Sequence, residues 1–116
     1  MREPARDTGR LEHILTAINN IEEFAHGMTY EQFLADKKTF FAISYNIQII
    51  GEAAYMLSRD FKANHTEINW QIMEKMRHII VHGYYKVSPV IVWNVATDDI
   101  PTLKPQIQHL FDENNT

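Results

Sequence analysis

Residues 36–57 read DKKTFFAISYNIQIIGEAAYML, and the fold follows from this stretch. Its apolar residues Phe40, Ile43, Ile47, Ile50, Ala54 and Leu57 step 3, 4, 3, 4, 3, which places them on one seam of a helix packed against other helices. Asp36 offers a carboxylate to cap the first turn. Gly51 interrupts an otherwise favourable helix at a cost of about 1 kcal/mol relative to alanine, so another backbone or a ligand is expected to approach there. Glu52 follows it directly.

On the N-terminal side, Leu11, Ile14, Leu15, Ile18, Ile21, Phe24 and Ala25 recur at helical spacing, predicting a first helix from about Asp7 to His26. Asp7 or Thr8 is the expected cap and Gly27 the left-handed stop. Thr29 and Gln32 form a capping-box pattern that opens a short turn through Phe33 and Leu34. On the C-terminal side, residues 59–69 are polar apart from Phe61 and Ile68 and read as a loop ending in an Asn69 cap. A third helix is predicted over Trp70 to Val81, with Ile72, Met73, Met76, Ile79 and Ile80 buried and Gly83 ending it. Ser88 and Pro89 start a fourth, which includes Val90 to Val95 and is expected to kink or restart near Asp98 and Asp99 because Pro101 and Pro105 lack backbone donors. The expected architecture is all-α, an antiparallel bundle of four to five helices in one domain over residues 1–116, with residues 114–116 frayed.

Composition narrows the chemistry. There is no cysteine, so thiolate metal sites, disulfides and cysteine nucleophiles are excluded, and a reducing cytoplasmic setting is expected. The first ten residues carry three arginines and no apolar run, so neither a signal peptide nor a membrane segment is expected. The formal charge of −4 argues against nucleic-acid binding by bulk electrostatics and requires any polyanion to meet a local cationic cluster. Surplus aromatic residues, among them Tyr45, Tyr55, Trp70, Tyr84, Tyr85 and Trp93, suggest a homodimer that buries some of them.

One segment gathers chemically capable side chains: Arg77-His78-Ile79-Ile80-Val81-His82-Gly83-Tyr84-Tyr85. Arg77 offers a planar fork for phosphate oxygens, and His82 a group that exchanges protons near neutral pH. Together they suffice to cut RNA without a metal: the imidazole takes the ribose 2′-hydroxyl proton or gives one to the leaving 5′-oxygen, and the arginine opposes the charge that develops on phosphorus. Residues five apart on a regular helix stand about 140° from each other. Either the last turn unwinds before Gly83, or two copies form a composite site. A plainer reading has Arg77 offsetting the helix dipole and pairing with Glu74 while His82 caps the last carbonyls. A metal reading uses Glu74, His78 and His82 at four-residue spacing, without the acid-flanked arrangement of zinc enzymes. Glu52 and Asp36 read first as a solvated helix residue and a cap. Glu52 is also placed to reach and orient Arg77. His13, His26, His65 and His109 read as surface residues.

With these residues in hand, the chain resembles the HepT-like branch of the HEPN superfamily, the toxin partner in the HepT–MntA type of toxin–antitoxin module. The resemblance runs from Arg6-Asp7 and His13-Ile14 through Phe33, Asp36, Ile49-Ile50-Gly51-Glu52-Ala53, Ile68 to Trp70 and Met76-Arg77 to Val92-Trp93 and Asp99-Ile100-Pro101. The family motif, an arginine, four residues, a histidine, any residue and a tyrosine, falls on Arg77, His82 and Tyr84. The resemblance implies a dimer that cleaves RNA without metal or cofactor. It also implies a minimal nucleotidyltransferase antitoxin that transfers AMP to Tyr84. Two departures stand out: His78 follows the motif arginine where the family usually has a small polar residue, and Asn69 replaces the proline common before the tryptophan.

Overall fold

The computed structural model describes the backbone over residues 4–82 and 88–114 and the side chains over residues 6–78 and 88–114. Every regular element among the described residues is helical: α1 (Pro4–Ala25), α2 (Tyr30–Ala35), α3 (Lys37–Met56), α4 (Arg59–Ala63), α5 (Trp70–His82), α6 (Pro89–Asn94), a π-helical turn (Val95–Asp99) and α7 (Ile100–Asn114). The frame is the expected helical bundle. α3 lies at its centre, packed on α1 along one flank and α5 along the other, with α7 closing against α1.

Leu11, Ile14, Ile18 and Ile21 of α1 meet Ile43, Ile47 and Ile50 of α3, with Met73 and Met76 of α5 and Ile100 and Ile107 of α7, all essentially sealed from solvent. Burying each such side chain contributes about 1.5–3 kcal/mol relative to leaving it exposed. Within this apolar contact Asn46 donates to the Ala42 carbonyl at 2.8 Å and accepts from Asn20 at 3.1 Å, a polar pair that favours one register of α1 on α3. Phe24 and Ile72, expected inside, are 39% and 40% exposed. Both lie at the margin of their stripe, where a neighbouring helix covers only part of the side chain.

The predicted caps mostly form. Thr29 and Gln32 make the reciprocal capping box, Asp36 accepts from Thr39 N at 3.1 Å, Asn69 accepts from Ile72 N at 3.1 Å, and Gly27 turns the chain at φ 72°. Asp7 does otherwise. The helix begins earlier, at Pro4, and the buried Asp7 carboxylate accepts from Ser58 N at 2.9 Å and Ser58 Oγ at 2.7 Å, tying α1 to the end of α3. The expected loop at 59–69 contains α4, because Ser58 caps it by accepting from Phe61 N at 3.1 Å. Phe61 then packs against His65 and Trp70, whose indole donates to the His65 carbonyl at 2.9 Å. His65 is accordingly half-buried rather than a surface residue.

The expected interruption before Pro101 takes the form of the π-helical turn. Asn94 and Ile100 keep right-handed helical angles, so α6 runs through the turn into α7 without a capped restart, and Asp98 and Asp99 lie within the turn. A π-turn re-registers the ladder by one residue, which accommodates a chain whose next donor is missing at Pro101. No helix among the described residues is long and apolar enough to cross a membrane.

Candidate functional site

α3 and α5 approach closely at Gly51. A Cβ there would overlap the backbone nitrogen and Cβ of Arg77 and come 2.7 Å from its Cα, so the absent side chain is what lets the two backbones touch. The same contact aligns the next residue. Glu52 Oε1 accepts from Arg77 Nε at 2.6 Å, and the two side chains are 45% and 34% exposed. One helical turn further on, Tyr55 presents its ring beneath the guanidinium, with Cζ 5.0 Å from the ring centroid.

A half-exposed ion pair of this kind adds about 1 kcal/mol or less to stability, and a surface cation–π contact about as little. Their consequence is geometric. The carboxylate occupies the Nε corner and the ring occupies one face, while among the described residues no hydrogen bond reaches the Nη1/Nη2 edge. That edge is the one that can accept two oxygens of a phosphate side by side.

The plainer pairing with Glu74 does not form. Glu74 Oε2 is 3.0 Å from Lys62 Nζ, which also donates to the Ala54 carbonyl at 3.1 Å. Among the described residues no three His, Cys, Asp or Glu side chains gather as a metal site. His78 is exposed on the outer side of α5. Asp36 caps α3 sixteen residues from Glu52, about 24 Å along the axis, so the structure does not bring it to Arg77. Thr39 holds the Asp36 carboxyl below its ordinary value, first through its hydroxyl and then through its backbone N–H.

α5 stays helical through His82, so the last turn does not unwind before that residue. On such a helix the His82 position stands about 140° around the axis from Arg77. The His82 side chain, Gly83 and Tyr84 lie outside the described residues. Tyr55, read from the sequence only as a surplus aromatic, is the contributor that was not assigned to the site; its signal was the three-residue step from Glu52, which puts both on one face of α3.

The family model for ribonuclease HepT-like proteins matches residues 14–110. A probable ribonuclease HepT of Thermococcus cleftensis is 43% identical over 100 residues, 86% of this chain and 91% of that one. A proposed RNase of Caldanaerobacter subterraneus is 30% identical over 103 residues, 89% of this chain and 92% of that one. A Methanocaldococcus jannaschii protein named as both a gamma-glutamylcyclotransferase and a proposed RNase is 35% identical over 103 residues, 89% of this chain and 46% of that one. No solved structure matches.

Proposed function

Because the chain belongs to the ribonuclease HepT-like family, we propose that it is a metal-independent endoribonuclease, acting in the cytoplasm as the toxin of a toxin–antitoxin module. The observation that carries the reading is the Arg77 guanidinium, held at Nε by Glu52 and on one face by Tyr55, with its Nη edge hydrogen-bonded by no described residue.

In the proposed reaction the Nη edge holds two non-bridging oxygens of the scissile phosphate and offsets the charge that builds on them as phosphorus becomes five-coordinate. The 2′-oxygen attacks phosphorus and loses its proton to a general base. The P–O5′ bond breaks, and the leaving oxygen takes a proton from a general acid, giving a 2′,3′-cyclic phosphate and a 5′-hydroxyl. His82 serves as one of these two groups. Glu52 is a positioning residue. His78, beside Arg77, shapes the approach to it.

The regular helix between Arg77 and His82 supports a site completed by two copies, since one helix turns the two side chains apart. Exposed Phe41 on α3 and Val90 and Ile91 on α6, two elements in contact, supply an apolar surface for that homodimer. Tyr84 is the proposed acceptor of AMP from a nucleotidyltransferase antitoxin: its phenolic oxygen attacks the α-phosphorus of ATP and pyrophosphate leaves. The added phosphate would repel substrate from Arg77. The net charge of −4 favours a second reading, a non-catalytic subunit that docks a nucleotidyltransferase.

The test is RNA cleavage in excess chelator by protein purified alone and with the nucleotidyltransferase, each form weighed intact. Cutting by the unmodified form, its loss in His82→Ala, and AMP adducts on Tyr84 are expected. No cutting by either form, with partner binding intact, would install the docking-subunit reading.

A further inference from the structure

On the flank of α3 opposite α5, the surface dips between α1 and α3 into a groove of about 440 Å³. Arg10 and His13 of α1 form one wall, and Tyr45, Gln48, Ile49 and Met56 of α3 the other. Glu52 belongs to the groove as well as to the Arg77 pair, so the two features share a wall. That carboxylate is already engaged by Arg77, and among the described residues no carboxylate is paired with Arg10. The Arg10 Nε is sealed from solvent and has no hydrogen-bond partner among the described residues. A guanidinium that is desolvated at Nε and paired with no carboxylate gains from an anion in the groove by charge attraction, without Nε itself being reached. Tyr45, 64% exposed, offers a ring on which a base can stack.

We propose that this groove is a second RNA subsite, which grips the strand beside the cleaved linkage, with a phosphate on Arg10 and His13 and a base on Tyr45. The identity of the strand rests on the nuclease reading above. Gln48 and Glu52 are one turn apart on α3, about 6 Å, so a single strand held at Arg77 enters the groove at a neighbouring nucleotide. The combination also answers the acidic net charge: two local cationic points, one on each side of α3, replace a basic surface.

Binding of a fluorescein-labelled ten-nucleotide oligouridylate to the His82→Ala protein tests this without requiring cleavage. Arg10→Gln is expected to weaken binding about tenfold and to lower the slope of log affinity against log salt by about 0.7, the loss of one phosphate contact. Tyr45→Leu is expected to cost at least roughly fivefold through lost stacking. Lys38→Gln, which removes the same charge away from the groove, is expected to leave affinity as it was. Equal losses in Arg10→Gln and Lys38→Gln, or no loss in either, would overturn the subsite. Should a variant melt early, photocrosslinking of 4-thiouridine RNA to the parent decides: adducts at Tyr45 or His13 support the groove, and adducts confined elsewhere reject it. If the parent chain never cuts RNA while binding still depends on Arg10, the nuclease reading falls and the subsite stands.

Discussion

Gly51 lies against the backbone of Arg77, and the close approach of α3 to α5 there rests on the hydrogen that Gly51 carries in place of a methyl group. Alanine in a helix interior ordinarily stabilises by about 1 kcal/mol over glycine. Here Gly51→Ala is expected to destabilise by about 1–3 kcal/mol in urea melts, because the new Cβ must push α5 away. Glu52→Gln behaves differently. The pair is half-exposed, so stability should change by less than about 1 kcal/mol. RNA cleavage should nonetheless fall by about tenfold or more in kcat, since a misplaced guanidinium loses part of its hold on the transition state. A full loss of folding in Glu52→Gln, or unchanged kcat, would contradict this assignment. Gly51 and Glu52 were legible in the sequence because a glycine in mid-helix needs a reason. Tyr55 was legible only as a surplus aromatic that a homodimer would bury, since local spacing does not show which neighbouring helix brings a guanidinium to its ring.

At the scale of elements, two junctions depart from what periodicity alone predicts. Asp7 joins α1 to Ser58, and that serine caps α4. Asp7→Ala is therefore expected to cost about 1–3 kcal/mol by leaving the part-buried Ser58 donors unmatched, visible as a lower Tm. A side chain that bonds across 51 residues leaves no trace in local spacing, so a capping role for the same helix was the natural reading. The second junction is the π-helical turn. Burial, and then the neighbouring Asp98 charge, holds the Asp99 carboxyl above its ordinary value of 3.8. A raised value means that the folded chain binds the proton more tightly than the unfolded one. Its contribution to stability is complete below 3.8 and is lost as pH rises through the folded value. Asp99→Asn is expected to raise Tm at pH 7, with the gain shrinking toward pH 3. A gain that is the same at both pH values would refute the assigned cause.

Across the whole molecule, the exposed Phe41, Val90 and Ile91 lie on α3 and α6, which pack together. Light scattering on the purified protein is expected to give about twice the 13.6 kDa chain mass, and Phe41→Glu to shift it toward monomer with cleavage lost. Monomer that still cuts RNA would return the site to a single chain. The sequence by itself determined the helical class, the order and approximate ends of the main helices, and most of the caps. These are properties of residues near one another along the chain, where 3.6-residue periodicity and capping donors act. Only the tertiary structure decided which carboxylate holds Arg77, that Asp7 serves Ser58, and that Arg10 faces Tyr45 across a groove. Those pairings join residues far apart in sequence and depend on how α1, α3 and α5 pack side by side, a relation that no local pattern encodes.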